Sequence, residues 1–415
     1  MNQTPRIRTT LRCTLLVVSL GAVAIACGFS DPSPLTGKPF DAAEQITFNT
    51  PADSRKANPD KPLEIDVKGD EGRITDVTVI DDSGHHLAGE LSADGSRWRS
   101  TGALSAGVKY TARVATEDSE GAPGSRTLSF ETSPAQRKLT VAFGPEAGTY
   151  GVGQPITAEL SLPVKDKTAR AVIERALKID SKPAVDGAWH WVDDRKLHFR
   201  PKEYWPAGTS VTAASNLQGV KVANSLYGGA SKALKISIGD RIEAITDASS
   251  HHMTVKRNGE VINTIPVTTG KPGFSTRNGV KVVLGKEYFV RMRGTSVGIY
   301  GDEGYDLPVY YATRVTWSGE YVHAAPWSVG SHGYANVSHG CTGMSTGNAA
   351  WFYETVREGD IVQVVNSYGD DMDPFGNGFG DWNLSWADWR QGSALAAGTP
   401  DGSNPVDAAR LRPQV

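Results

Sequence analysis

The sequence predicts a mainly β protein. It should contain two tandem immunoglobulin-like β-sandwiches, then a β-rich third domain with one or two helices, and finally a Trp-rich C-terminal subdomain. Three observations carry this. Short alternating apolar–polar runs recur with turn residues between them, the pattern of half-buried strands. Gly is abundant, 45 of 415 residues, and helix-period runs are few. Trp98, Leu104, Gly107 and Tyr110 are each matched 101 residues later by Phe199, Trp205, Gly208 and Val211, a weak internal repeat. The net charge of −3 gives no bulk electrostatic case for nucleic acid.

Residues 1–27 read as a targeting segment. Arg6, Arg8 and Arg12 are followed by an apolar run, Leu15 to Ala26, shorter than the ~20 residues that span a bilayer. The run ends in Ala24-Ile25-Ala26-Cys27-Gly28, which resembles a bacterial lipobox. Cys27 is the expected lipidation site; the alternative is an ordinary signal peptide with a chance Cys. A lipid anchor there places the protein on the extracytoplasmic face of the cell membrane, in the cell wall. Residues 28–44, rich in Ser, Pro, Gly and Asp, read as a tether.

Residues 45–135 form the first predicted sandwich, with strands such as Leu63–Val67, Val77–Ile80 and Tyr110–Val114 and a turn at Asp82-Ser83-Gly84. Residues 136–238 form the second, by the repeat. Neither shows a catalytic cluster, so both read as spacers or wall-binding modules. The third domain spans 239–367. Asn258-Gly259 signals a hairpin within it. One helix is expected after Ser345 or Thr346, with Ala349, Phe352, Tyr353 and Val356 on its apolar face. Gly359 should stop it, and Ile361–Val365 returns to strand. In residues 368–395, Trp382, Trp386 and Trp389 at i, i+4, i+7 read as one helical face packed on a neighbouring domain. Residues 396–415 read as a disordered tail.

The cysteines are informative. Cys13 leaves with the targeting segment and Cys27 carries lipid, which leaves Cys341 alone in the mature chain. Exported proteins normally pair their structural cysteines. Cys341 is therefore an inert buried thiol or a reactive one. Three histidines precede it: His323, His332 and His339. A neighbouring His can accept a thiol proton and form a thiolate–imidazolium pair. His339, at i−2, falls on the Cys341 side of an extended segment. His323 ends an alternating strand expected beside the Cys segment. His332 lies in Gly330-Ser331-His332-Gly333 and reads as exposed, with no required role. His85-His86 and His251-His252 lack a matching acidic ligand, so neither metal nor other cofactor is expected.

His323, fourteen intervening residues, then Ser338-His339-Gly340-Cys341 resembles the signature of the L,D-transpeptidases. Thr269-Gly270-Lys271-Pro272-Gly273, followed by Thr276 and Gly279, is similar to that family's upstream strand and turn. The preceding sandwiches and the Trp-rich segment resemble mycobacterial and related actinobacterial members. Two positions depart from the pattern: Gly343 stands where Asn is usual, and Ala324 where Ser or Gly is common. A backbone carbonyl at 324 can still orient His323.

The resemblance implies two-step acyl transfer on peptidoglycan stem peptides, a tetrapeptide donor and a diamino-acid acceptor, giving 3→3 cross-links. It implies Cys341 as nucleophile and His323 as base. Oxyanion donors would come from the backbone N–H of Cys341 or Gly340, from His339, or from Tyr305 on a lid over residues 291–311. Ser318 and Gly319 would pair with an extended donor through their backbones. Trp327 is either a pocket wall or core. Carbapenem-type β-lactams are the implied inhibitors. Two other readings stand beside this one. A sortase-like protein-anchoring enzyme needs an Arg on a strand shortly after the Cys, and neither Arg357 nor Arg390 fits. A non-catalytic or weakly active wall-binding lipoprotein is the other, raised by Gly343.

Overall fold

The fold is described by a computed structural model over residues 39–50, 56–69 and 72–396. The targeting segment with Cys27, most of the tether, and the tail beyond residue 396 lie outside the described residues. Among the described residues the architecture is mainly β, organised as seven sheets.

The first unit is two four-stranded sheets closed on one core of Ile65, Trp98, Leu104, Tyr110 and Phe130. Phe40–Asp41, read from sequence as the end of the tether, instead pairs parallel with Gly124–Ser125 of this unit. The second unit has two four-stranded sheets and a three-stranded one. The repeat is structural. Gly107 and Gly208 share a left-handed backbone, with φ of 71° and 77°, and each precedes a strand, Lys109–Asp118 or Ser210–Ser215, whose second residue is Tyr110 or Val211. The other matched pairs, Trp98 with Phe199 and Leu104 with Trp205, are buried in the two cores.

The sequence reading places no helix in the second unit, yet helix α1 covers Lys167–Ala176 there. Asp166 caps it, accepting from the Ala169 N–H at 2.7 Å. Its buried stripe is Ala169 and Ile173, one i, i+4 pair, too sparse to stand out against charged neighbours.

The third unit is two sheets and a helix that shares their core. Its strands are β1 (Ile242–Asp247), β2 (His252–Arg257), β3 (Glu260–Pro266), β4 (Gly279–Val282), β5 (Gly285–Arg293), β6 (Asp306–Arg314), β7 (Tyr321–Ala324), β8 (Thr342–Met344) and β9 (Ile361–Val365). One sheet runs β3-β2-β1-β9-β4 and the other β5-β6-β7-β8. Asn258 and Gly259 form the expected two-residue hairpin, both at positive φ (52° and 92°). Helix α2 covers Thr346–Thr355, capped by Ser345. It buries Ala349 and Phe352 against the core that also holds Val322, Ala324 and Met344. This packing fixes the ends of β7 and β8.

The second and third units share a core, which sequence reading as spacers did not anticipate: Val282 and Ile361 pack into the second unit's cluster. The tryptophans seal this joint, but not as one helical face. Trp382 sits in a 3₁₀ turn, Leu384 is extended, and helix α3 begins only at Trp386 (Trp386–Gln391). The three rings instead converge on the buried Arg200 guanidinium of the second unit, at 4.8, 5.5 and 4.6 Å. Trp382 Nε1 donates to the Gly153 carbonyl (2.8 Å) and Trp389 Nε1 to that of Ala188 (2.9 Å).

Candidate active site

β7 and β8 run parallel, with His323 opposite Gly343. Cys341 immediately precedes β8, so this pairing sets its loop alongside the strand that carries His323. Side-chain hydroxyls hold the loop. Ser338 Oγ donates to the Cys341 carbonyl (2.6 Å) and accepts from the Gly340 N–H (3.1 Å). Thr276 Oγ1 donates to the Gly340 carbonyl (2.8 Å) and accepts from the Gly270 N–H (2.9 Å). The upstream Thr269–Gly273 turn is thus a buttress for the Cys341 loop. Gly340 has φ of 116°, a backbone open to glycine and costly for other residues.

Cys341 and His323 line one cavity of about 280 Å³, together with Trp327, Ser328, Tyr305 and His339. His323 is buried, and its Nδ1–H donates to the Ala324 carbonyl at 2.8 Å. That contact leaves Nε2 bare, the form that accepts a proton. It is the backbone contact expected despite the side-chain departure at 324. Burial holds the imidazole pKa down to about 4. Burial pushes the Cys341 thiol up to about 11, although the Tyr321 N–H hydrogen-bonds to it and favours thiolate. The thiol points its S–H at the Gly319 carbonyl, 3.7 Å away. Both shifts favour the neutral thiol and neutral imidazole over the ion pair expected from sequence, because neither charge is solvated where the two groups sit.

The remaining sequence candidates fall as follows. Trp327 is a wall and not core: it is half exposed, with its ring 6.0 Å from that of His323 and inclined at 30°. Tyr305 reaches the cavity from the segment between β5 and β6, its ring 5.1 Å from His339. Burial and the neighbouring Cys341 raise its phenol pKa, so it keeps its donor O–H. His339 lines the cavity, but its Nε2 donates to Glu303 (2.8 Å), which also pairs with Lys271. That cluster ties the 291–311 segment down over the site. The Gly340 N–H is taken by Ser338, as above. The Ser318 N–H donates to Asn377 Oδ1 (2.7 Å) and the Gly319 N–H to the Thr316 carbonyl (3.3 Å). Those two N–H groups are not free to pair with a donor peptide; the Gly319 carbonyl faces the thiol instead.

His332 overturns its expectation. It is buried, only 6% exposed, with Nε2 3.2 Å from Ser328 Oγ. A loop rich in Gly and Ser suggested exposure, but Gly333 is pinned by its N–H to the Val267 carbonyl, which folds the loop inward. A second feature went unseen. Lys281 is buried, its Nζ 2.7 Å from Glu320 Oε2, while Arg277 Nη1 holds Glu320 Oε1 at 2.8 Å. This cluster acts on the Cys341 thiol: Glu320 raises its pKa and Lys281 lowers it. The one signal in sequence was a Lys inside an apolar strand, Val280-Lys281-Val282.

Residues 241–364 match the family described as L,D-transpeptidase catalytic domain, and residues 54–221 match one described as bacterial Ig domain. The chain is 34% identical to L,D-transpeptidase 2 of Mycobacterium tuberculosis over 402 residues, 94% of this chain and 97% of that protein. The chain belongs to the L,D-transpeptidases. It is 39% identical to L,D-transpeptidase 1 of M. tuberculosis over 217 residues, covering 52% of this chain and 80% of that one. A solved L,D-transpeptidase in complex with imipenem is 37% identical, with a TM-score of 0.48, over 55% of this chain and 99% of that one.

In this L,D-transpeptidase a side chain at 343 would be crowded. A Cβ on Gly343 would lie 2.9 Å from Ala325 Cβ and 3.1 Å from Thr268 Cγ2. Those two side chains already fill the space a larger residue needs. Ser338 and Thr276, legible in sequence only as members of a motif, build the Cys341 loop. Ser328, which the sequence reading did not single out, lines the cavity.

Proposed function

We propose that this L,D-transpeptidase forms 3→3 cross-links between peptidoglycan stem peptides through a Cys341 thioester. The observation that carries the proposal is that Cys341 and His323 line one cavity, with His323 Nδ1 committed to the Ala324 carbonyl and Nε2 left to accept a proton. In the first step Sγ attacks the carbonyl of the third residue of a tetrapeptide donor, a diamino acid, while His323 Nε2 takes the thiol proton. The tetrahedral oxyanion collapses, the bond to the terminal D-Ala breaks, and His323 protonates the departing amine. In the second step the side-chain amine of another stem attacks the thioester, His323 takes its proton, and the thiol is regenerated. No ATP is consumed, because the peptide bond broken supplies the thioester.

Oxyanion stabilisation falls to the Cys341 N–H and the Tyr305 O–H, since the Gly340 N–H is committed to Ser338. The same thiol opens the strained ring of carbapenem-type β-lactams. Intact-protein mass spectrometry of the full chain with imipenem tests this. One adduct per chain, lost in Cys341→Ala, is expected; an unmodified, folded protein contradicts it. We also propose that Cys27 carries the lipid that holds the enzyme at the outer face of the membrane. Labelled palmitate should enter the wild-type chain and not Cys27→Ala.

A further inference from the structure

We infer that Ser328 and His332 form a second polar station in the cavity, which receives the attacking amine of the acceptor stem. The inference rests on the cross-linking reading above. Ser328 lines the cavity with Cys341 and His323. Its Oγ is 3.2 Å from His332 Nε2 and 3.4 Å from the Ala325 carbonyl. His332 itself is buried, and its Nδ1 has no hydrogen-bond partner among the described residues.

These contacts settle the direction of the hydrogen bonds. Burial lowers the His332 pKa, so the ring is neutral and carries one proton. On Nδ1 that proton would make a buried N–H without an acceptor, a rare and costly state. On Nε2 it donates to Ser328 Oγ, and only a lone pair is left at Nδ1. Ser328 then gives its own proton to the Ala325 carbonyl. The remaining Oγ lone pair can accept an N–H from the cavity. An amine must present its lone pair to the thioester and its protons to acceptors, and Ser328 supplies one such acceptor besides His323.

Position 343 offers no polar side chain of its own, and a Cβ there would stand 4.0 Å from His332 Nε2. The polar group that meets the acceptor is thus supplied from the 326–332 loop and not from position 343. Ser328 touches the acceptor; His332 is a positioning residue that acts through it.

The test uses the full chain in detergent, isotopically labelled disaccharide-tetrapeptide as donor, and unlabelled disaccharide-tripeptide as acceptor. Mass spectrometry reads the ratio of cross-linked dimer to labelled hydrolysis product, and the acceptor KM. In Ser328→Ala and His332→Ala the ratio should fall about tenfold and the acceptor KM rise, the scale of one lost hydrogen bond to a charged or reacting group. His332→Gln, whose amide N–H still reaches Ser328, should stay within about threefold of the parent. A merely structural defect would lower both products together and leave the ratio unmoved. If His332→Ala does not fold, Ser328→Ala decides alone. Dimers with an unmoved ratio and KM in Ser328→Ala overturn this inference. No dimers from the unsubstituted chain overturn the cross-linking reading, and this inference with it.

Discussion

Burial moves the two central side chains in opposite directions, and their chemistry follows. Cys341 faces the cavity, yet its thiol is ringed by protein and its pKa is driven up to about 11. His323, fully enclosed, is driven down to about 4. Both shifts favour the neutral form, and in the proposed mechanism proton transfer then accompanies attack. The pH dependence has a definite sign. The base must be unprotonated, and its pKa lies below that of a free imidazole. Acylation by a carbapenem should therefore hold steady as pH falls from 7 to 5 and be lost as pH passes through about 4. Stopped-flow acylation rates across that range check this; an acid limb near the free-imidazole value of about 6.5 would contradict it. At this scale the pairing of Cys341 with His323 on one cavity was legible, because one unpaired Cys and one spaced His are properties of the string. The charge state was not, because desolvation depends on what the fold packs around each group. His332 was misread for the same reason.

At the scale of elements, two clamps hold the site. The first is the cluster Lys271–Glu303–His339, which ties the 291–311 segment over the cavity. The Glu303 carboxyl is held below its usual pKa, first by Lys271 and then by His339. Its clamp is therefore present at neutral pH and lost as pH falls through that lowered value. Glu303→Gln should loosen the segment at neutral pH, seen as faster amide hydrogen exchange over 294–305; unchanged exchange would count against the clamp. The second clamp is Asn377, which takes the Ser318 N–H and so steadies the turn whose Gly319 carbonyl meets the thiol. Asn377→Ala should slow Cys341 acylation several-fold while shifting Tm by no more than about 4 °C, the scale of one lost hydrogen bond. Rates equal to the parent's would show that the turn holds without it. Helix α2 and the Asn258–Gly259 hairpin were readable, since caps and turn residues act locally. Helix α1 and the broken tryptophan segment were not: one rests on a two-residue stripe, and in the other the spacing answers to Arg200, remote in sequence.

At the scale of the molecule, the second unit is built into the catalytic one. The Gly151 N–H donates to the Glu358 carbonyl and the Gly153 N–H to that of Gly359, with Trp389 and Arg200 packed across the same joint. A Cβ on Gly151 would lie 2.2 Å from the Asp360 backbone nitrogen, which cannot move aside without breaking the turn into β9. Trp389 is fully buried, and Trp389→Ala should cost about 3–5 kcal/mol. Calorimetry should show the catalytic unit melting earlier; an unshifted transition would mean the units are energetically separate. The cross-linking reaction is tested most directly by mass spectrometry of muropeptides after incubation of the purified enzyme with disaccharide-tetrapeptide. Dimers linked 3→3, with release of D-Ala and both products absent in Cys341→Ala, are the expected result. Free tripeptide alone, or dimers that persist in Cys341→Ala, would contradict the account.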